Sequence, residues 1–408
     1  MSEDAAESLR HVSDLLTVDE ALARILERAL PLPTERVRVE VAAGRVLREP
    51  ALALVDLPPF PSSAMDGFAV RAVDTPGELP VAFRIPTGSP PPGSLPANSA
   101  SGIATGGVVP EGADAVVAVE QAIDLGERVV IAERAAVGQN TRPQGGDVHK
   151  GEVVASERCR LRAAQIGALA ASGVSDVVCG MRPRVAVLAT GSELRPPGAR
   201  LGPGEIYESN CAMIAATLAR AGALVEVLPL AVDDEGAHRA ALQRGLEADV
   251  LVTSGGVSMG PQDLVRRVRA DLGVEEVFWG VAVKPGKPLS FGVRGETLVF
   301  GLPGNPVSAL VGALVFVFPA LLARQGVSEA TPVYDLGRFS TPIPRNAHRD
   351  EFVRARRRID ASGVLLEAVS GQESHMIVRA ASADALAHVP RGSGVLAAGE
   401  PIRYLTLD

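Results

Sequence analysis

The sequence predicts a multidomain α/β chain whose central unit is a doubly wound sheet flanked by β-rich units. Three observations predict it. Between residues 184 and 324, β-branched runs alternate with helical stretches at the spacing of successive βαβ units. From 57 to 145, and again after 327, short alternating strands are separated by Gly and Pro. The chain has 408 residues, 47% of them hydrophobic, which is too long for one ordinary core, so several units are expected.

The elements follow in order. Residues 18–30 have helical spacing, with Ala21, Leu22, Ile25, Leu26 and Leu30 on one face. Pro31 and Pro33 stop that helix. Residues 37–41 and 46–53 read as extended. Strands are expected over 81–85, 101–104, 115–119 and 128–132, with a flexible Pro/Gly/Ser loop over 86–101. Residues 160–172 are helical again. After Pro183 the rhythm changes. Strands over 184–188, 224–228, 249–253, 275–279 and 298–300 alternate with helices over 208–221, 236–245, 261–272 and 306–324. This alternation implies a parallel sheet with helices on both faces. Short strands then return over 338–341, 352–358, 364–368, 387–389 and 402–405.

Composition narrows the function classes. A net charge of −8 with no Lys/Arg-rich block argues against nucleic acid as the main partner. Cys159, Cys179 and Cys211 form no C-x-x-C pair and no disulfide framework, so reduced thiols and a cytoplasmic setting are expected. Residues 1–10 are polar and acidic, unlike a signal peptide. Residues 307–323 are almost wholly apolar and approach the roughly 18–20 residues of a membrane span. Gly312, Pro319 and the lack of a basic flank favour a buried helix and no membrane.

In a doubly wound sheet, ligands bind beyond the carboxyl ends of the strands. Three strands end there in unusual loops. They are Thr190-Gly191-Ser192-Glu193, then the run from Thr253 through Ser254, Gly255, Gly256 and Ser258 to Gly260, then Gly301-Leu302-Pro303-Gly304-Asn305-Pro306. Glycine lets a backbone N–H approach a ligand, and the last two loops each open a helix whose N-terminus suits an anion. A single Gly-rich turn is usually only a turn; three at one sheet edge point to a nucleotide-like or oxyanion ligand. Of 40 basic residues only Lys150, Lys284 and Lys287 are lysine, and two lie in Lys284-Pro285-Gly286-Lys287. An ammonium is a compact point charge where guanidinium is a fork, so this loop is expected to meet a small anion. The carboxylates Asp66, Asp147, Glu193 and Asp263 stand in or beside such loops. Near phosphate they can hold Mg²⁺; singly, each is more often a turn former or a cap. No Ser-His-Asp arrangement appears, and His149 and His375 read as solvated loop histidines.

Taken together, the motifs resemble one family. Leu57-Pro58-Pro59-Phe60 with Ser63-Ala64-Met65-Asp66-Gly67 is similar to the early MoeA signature. Ala104-Thr105-Gly106-Gly107, Gly112-Ala113-Asp114-Ala115-Val116-Val117, and Gly138-Gln139-Asn140 with Arg142, Gly145 and Asp147 resemble the next ones. The three central loops, Ser209-Asn210 and Lys284-Pro285-Gly286-Lys287-Pro288 complete the resemblance over about residues 15–408. It implies four parts: 7–50 with 146–181 as a discontinuous N-terminal linker domain, 51–145 as a β-rich domain, 182–327 as a central α/β molybdopterin-binding domain like the pterin-adenylating proteins, and 328–408 as a β-barrel-like C-terminal domain.

The resemblance further implies a homodimeric, Mg²⁺-dependent molybdopterin molybdenumtransferase. Its substrates are adenylylated molybdopterin and molybdate, its product includes AMP, and the pterin adenylyltransferase and molybdoenzyme apoproteins are further partners. Catalytic roles are implied for Asp66, Asp147, Glu193, Asp263, Lys284 and Lys287. Substrate contacts are implied for Thr105, Thr190, Gly191, Ser254, Gly255, Gly256, Ser258, Pro303, Gly304, Asn305, Arg354 and Ser374. The Mg²⁺ ligands implied are Asp66, Asp147, Glu193 and Asp233. Gly280, Gly146, Pro61 and Glu373 depart from the frequent family pattern, Gly280 standing where many relatives carry Lys. The alternative is a gephyrin-like scaffold paralogue with reduced or no catalysis, which AMP release would tell apart. A stand-alone pterin adenylyltransferase would turn over ATP, and it leaves Asp66 and Asp147 unexplained.

Overall fold

The computed structural model describes residues 15–86, 88–230, 235–256 and 264–407. The chain divides into two compact units, Met1–Glu35 with Cys179–Asp408, and Arg36–Val178.

The first helix, α1 (Val18–Arg28), starts where the sequence allows. Thr17 accepts from the Glu20 amide at 3.1 Å while the Glu20 carboxylate accepts from the Thr17 amide at 2.8 Å. This capping box satisfies two otherwise orphaned N–H groups. The helix buries Val18, Ala21, Leu22 and Ile25, as the spacing predicts.

The Arg36–Val178 unit is built on six strands: β1 (Gly67–Val70), β2 (Gly77–Ile85), β3 (Ala100–Ile103), β4 (Ala115–Ala118), β5 (Ala122–Asp124) and β6 (Arg128–Ile131). Their order is β4-β1-β3-β2-β6-β5, and all pairings are antiparallel except β2–β3. Phe68, Val70, Leu79, Val117, Val129 and Ile131 form its core. Residues 160–172, read as one helix, give the shorter α2 (Ala163–Ala171). Residues 46–53, read as extended, contribute only Ala51–Leu52 to a short ladder with Val153–Ala155.

The other unit holds the doubly wound sheet. Its strands are β7 (Arg184–Ala189), β8 (Leu224–Val227), β9 (Val250–Ser254), β10 (Glu275–Trp279), a short β11 (Val283–Lys284), β12 (Ser290–Arg294) and β13 (Thr297–Leu302). The order across the sheet is β8-β7-β9-β13-β12-β10. The helices α3 (Asn210–Ala219), α4 (Glu235–Gly245) and α5 (Leu264–Asp271) connect it. Alternate residues of each central strand face opposite cores. Val185, Val187, Val250, Val252, Leu298 and Phe300 share one cluster with α1 and α3. Ala186, Leu188, Leu251 and Val299 share the other with Leu242, Leu246, Val265 and Val268. A strand covered on both faces reads as a continuous apolar run, which is why its alternation was invisible in the sequence.

The expectation of a parallel sheet holds for four strands and is corrected for the remaining two. The four strands β8, β7, β9 and β13 are parallel, but β12 and β10 join antiparallel. The physical cause is the tight turn between β12 and β13: two residues, with Gly295 at φ +57°, cannot make a parallel crossover and must return the chain antiparallel.

The apolar stretch forms α6 (Pro306–Gly312), a π turn over Ala313–Val317, and α7 (Phe318–Gln325). Among the described residues this Pro306–Gln325 helix alone is long and apolar enough to cross a membrane. Its Val311, Val315, Phe316 and Leu321 lie in the sheet core, so its apolarity is used in packing. Five further strands close a barrel: β14 (Asp335–Phe339), β15 (Asp350–Asp360), β16 (Gly363–Ala368), β17 (Ala385–Val389) and β18 (Pro401–Thr406). They run in the order β15-β16-β14-β18-β17, and β17 pairs back to β15. β11 adds to β15 in parallel.

Candidate active site

The carboxyl ends of β7, β9 and β13 open into one cavity of about 860 Å³. It is walled by Thr190, Glu193, Ser254, Gly255, Gly256, Lys287, Pro303, Gly304 and Asn305, nine of the residues singled out in the sequence. Tyr207, Glu208, Asn210, Trp279 and His375 line it too. The doubly wound topology puts these loops there, because parallel strands deliver all their carboxyl ends to one edge.

Asn210 holds the loops together. Its side-chain amide donates to Ser254 Oγ at 2.9 Å and to the Gly304 carbonyl at 2.7 Å. The residue is 8% exposed. Two glycines are required by the close approach that results. Gly255 sits at φ +89°, and a Cβ there would lie 2.7 Å from the Thr190 carbonyl oxygen. Gly256, at φ +61°, would meet Val265 Cγ2 at 2.4 Å. Both conformations belong to glycine.

The expectation that these loops offer free amides is corrected at two points. The Gly255 N–H donates to the Leu302 carbonyl at 3.1 Å, and the Val307 N–H, in the first turn of α6, donates to the Ser374 carbonyl at 3.0 Å. Those donors are used inside the fold. Positive charge in the cavity comes instead from Lys287.

Lys284 behaves differently from Lys287. Its Nζ is 2.9 Å from Glu351 Oε1, a carboxylate whose side chain is only 13% exposed, and it is not among the cavity-lining residues. The pairing of β11 with β15 sets this up by placing Lys284 beside Glu351. Arg354 is also turned inward. It is 1% exposed, its guanidinium donating to Gln372 Oε1 at 3.2 Å and to the Gly371 carbonyl at 3.1 Å. Burial lowers its pKa. Its contacts fix the segment that carries Ser374, whose Oγ accepts from Asn305 Nδ2 at 2.9 Å. The next residue, His375, read as a solvated loop histidine, stands on the cavity wall. Gly191 lies beneath the Glu193 carboxylate, within 2.8 Å of where its Cβ would be.

The thiol nearest the cavity is not a nucleophile. Cys211 is buried, its pKa pushed up to about 12 by desolvation and by Glu208. Glu208 itself accepts from the Cys211 amide at 2.8 Å, supplying the helix cap that Ser209 does not make.

Asp66, Thr105 and Asp147 belong to the Arg36–Val178 unit. The Asp66 carboxylate accepts from the Thr105 amide at 2.7 Å and from its hydroxyl at 3.0 Å. These two bonds, the backbone one first, hold its pKa below the ordinary carboxylate range. Asp147 is exposed, its amide bound to the Leu57 carbonyl. Asp233, Ser258 and Asp263 lie outside the described residues. Among the described residues no three His, Cys, Asp or Glu side chains cluster as a metal site. Glu208, Asn210, Tyr207 and Trp279 received no role from the sequence. Asn210 and Tyr207 had a signal, the Ile206-Tyr207 and Ser209-Asn210 motif leading into a helix; Glu208 and Trp279 gain meaning only from the folded cavity.

Residues 16–173 match the MoeA N-terminal region (domain I and II), 186–323 a probable molybdopterin binding domain, and 337–407 the MoeA C-terminal region (domain IV). The chain belongs to the MoeA family. It is 34% identical over 397 residues to the molybdopterin molybdenumtransferase of Haemophilus influenzae, covering 95% of this chain and 98% of that one. It is 37% identical over 381 residues to molybdopterin molybdenumtransferase 2 of Mycobacterium tuberculosis, covering 90% and 93%. Among solved structures, the molybdopterin biosynthesis MoeA protein of Pyrococcus horikoshii superposes with a TM-score of 0.81 at 27% identity, over 96% of this chain and 99% of that one. As a MoeA-family chain, the protein functions in molybdenum cofactor biosynthesis.

Proposed function

We propose that this MoeA-family protein is a molybdopterin molybdenumtransferase. It takes adenylylated molybdopterin and molybdate, releases AMP and leaves molybdenum in the dithiolene. The observation that carries the reading is the single cavity formed by three glycine-bearing loops around Lys287 and Glu193, two of which Asn210 ties together. Its volume, about 860 Å³, suits a ligand of nucleotide size, within the roughly 300–1,000 Å³ of small-molecule sites. An ammonium beside a phosphoanhydride stabilises charge that grows as the bond to AMP breaks.

Mg²⁺ is part of this proposal. Such an ion is typically held by one or two carboxylates, substrate phosphates and water, so a protein cage of three ligands is not needed. Glu193 fits the carboxylate role in the cavity. When bound, the ion supplies charge neutralisation on phosphate oxygens. Lys287 and the Asn210-bound loops orient the substrate. Asp66 and Asp147 lie in a different unit from the cavity-lining residues. A homodimer in which the partner subunit supplies these carboxylates is therefore part of the reading, since a two-fold interface repeats every contact. A cytoplasmic setting with the pterin adenylyltransferase and molybdoenzyme apoproteins as partners accompanies it.

The test is AMP release from adenylylated molybdopterin, followed with molybdate, with tungstate and with neither, in Mg²⁺ and in chelator. Release that needs an oxyanion and Mg²⁺ supports the reading. A folded protein that releases no AMP under any of these conditions overturns it in favour of a non-catalytic paralogue. Full activity from a species that sediments only as monomer removes the dimer.

A further inference from the structure

We propose that the C-terminal barrel carries a second anion site, formed by Arg356, Arg379 and Ser370, which binds a small tetrahedral oxyanion. A cavity of about 270 Å³ on the barrel is lined by these residues together with Glu367 and Ser382. It shares no lining residue with the central cavity. Its size lies below the roughly 300 Å³ at which drug-sized sites begin. That favours a phosphate-sized ion over a nucleotide or a pterin.

The walls are cationic and fixed in place. Arg356 Nε donates to the Ser382 carbonyl at 2.9 Å, and Arg379 Nη1 donates to Ser370 Oγ at 2.8 Å. Each guanidinium spends one N–H on the barrel and keeps others to offer. Ser370 Oγ accepts from Arg379, so its own hydrogen is left to donate. Ser382 Oγ is directed to the Arg379 carbonyl at 2.8 Å. Among the described residues neither Arg356 nor Arg379 has a carboxylate within ion-pair distance. Glu367, which faces Arg356 across the ladder, is 2.8 Å from Arg358 instead. Asp384 lies 3.7 Å from Arg357. The lining therefore holds two guanidiniums against one carboxylate that another arginine already neutralises. In a chain of net charge −8, two guanidiniums without a carboxylate partner in one cavity run against the general balance.

The backbone makes room for this arrangement. Gly371 lies at φ +78°, and a Cβ there would sit 2.5 Å from Met376 Sδ and 2.7 Å from Arg379 Cδ. The missing side chain is the bed on which the Arg379 stem lies, so the guanidinium is delivered to Ser370 by design of the turn. Two planar forks and a hydroxyl match the oxygens of a tetrahedral anion. Phosphate, sulfate and molybdate share this chemistry.

The experiment is residue-specific arginine modification by phenylglyoxal, read by peptide mass spectrometry on the full chain. It is run in phosphate, sulfate or molybdate against chloride at matched ionic strength. The expected result is slowing of roughly fivefold or more at both Arg356 and Arg379, saturable in anion, with the exposed Arg200 unaffected. Ser370→Ala should raise the anion concentration required several-fold, while Lys287→Ala leaves the protection intact. Which of the three anions protects best identifies the source. No protection, equal protection at Arg200, protection of one arginine alone, or loss of protection in Lys287→Ala each overturns the proposal.

Discussion

Asn210 is the place where one side chain joins two of the three loops into one wall. Its amide gives both hydrogens to the protein, at 2.9 Å to Ser254 Oγ and at 2.7 Å to the Gly304 carbonyl, from a position 8% exposed. Replacing it by Leu keeps the branching at Cγ, with bulkier methyl groups, and removes both bonds. Each buried acceptor left without its donor costs about 1–3 kcal/mol. Ser254 Oγ can turn to another partner and the Gly304 carbonyl borders the cavity, where water reaches it, so the low end applies to each. The sum is about 2–3 kcal/mol, or a fall of roughly 4–10 °C in melting temperature for a unit of this size. Asn210→Asp should also be costly, because it sets a carboxylate against the Gly304 carbonyl at the same distance, although the Ser254 hydroxyl can turn to donate to it. The assays are a melting curve and kcat/KM for AMP release. In Asn210→Leu, kcat/KM should fall further than stability alone explains, since folded molecules also lose the loop geometry. A variant with native melting temperature and native kcat/KM would show that the loops are held by their strands and that the amide is incidental.

Lys287→Ala should raise KM for the adenylylated pterin by roughly tenfold or more through loss of a charge-assisted contact. Lys284→Ala should lower the melting temperature instead, by leaving the mostly covered Glu351 carboxylate without its partner, and Glu351→Gln in that background should restore much of it; equal KM effects at both lysines refute the division. Gly280→Lys should be destabilised by about 1–2 kcal/mol from the left-handed backbone alone, since Gly280 lies at φ +89° with Leu15 Cδ2 2.6 Å from where a Cβ would be; a native melting curve with a lower molybdate requirement would instead make the position an anion subsite short of a cation. For Cys211 the folded thiol is raised from 9.0 to about 12. Its contribution to stability is therefore complete below 9.0 and is lost as pH climbs toward about 12. Cys211→Ala should flatten that loss, seen in urea melts at about pH 8 and about pH 11, and identical slopes in the two proteins refute it.

Much of the fold was legible because its signals are local. The α1 helix is written in Thr17, Glu20 and the spacing of Ala21, Leu22 and Ile25. The strand from Glu275 to Trp279 has the limits its β-branched and aromatic residues predict. The antiparallel pairing was missed because only 298–300 of this region read as a strand; Ser290–Arg294 precedes it across the two-residue turn of Gly295, which is left-handed, and Glu296. The barrel could be read as short strands, but its closure depends on β17 meeting β15 more than twenty residues away in sequence, a pairing no local pattern encodes.

The site was legible to a different depth. Residue type and loop position identified the cavity walls, because topology forces strand-end loops together whatever their sequence separation. They did not identify which polar groups remain available to a ligand. Lys284 and Lys287 are three residues apart in one motif, yet one meets Glu351 and the other the cavity. Gly255 and Val307 have the loop and helix positions that suit anion binding, yet their N–H groups are spent on Leu302 and Ser374. A sequence records donors and acceptors; it does not record their pairing, and an anion site depends on the donors left over. Arg354 is the limiting case. It stands two residues before Arg356 on the same strand, but its guanidinium is consumed by Gln372 and the Gly371 carbonyl, whereas Arg356 spends only one N–H. The same accounting that turns Arg354 onto the 371–376 segment leaves Arg356 and Arg379 N–H groups to offer. Arg354→Lys should therefore disturb the 371–376 segment, and with it Ser374 and His375, because one ammonium cannot replace a fork spanning two acceptors. Its signature is a loss in kcat/KM accompanied by faster amide exchange over 371–376. A loss in kcat/KM with native exchange there would return Arg354 to direct contact with substrate.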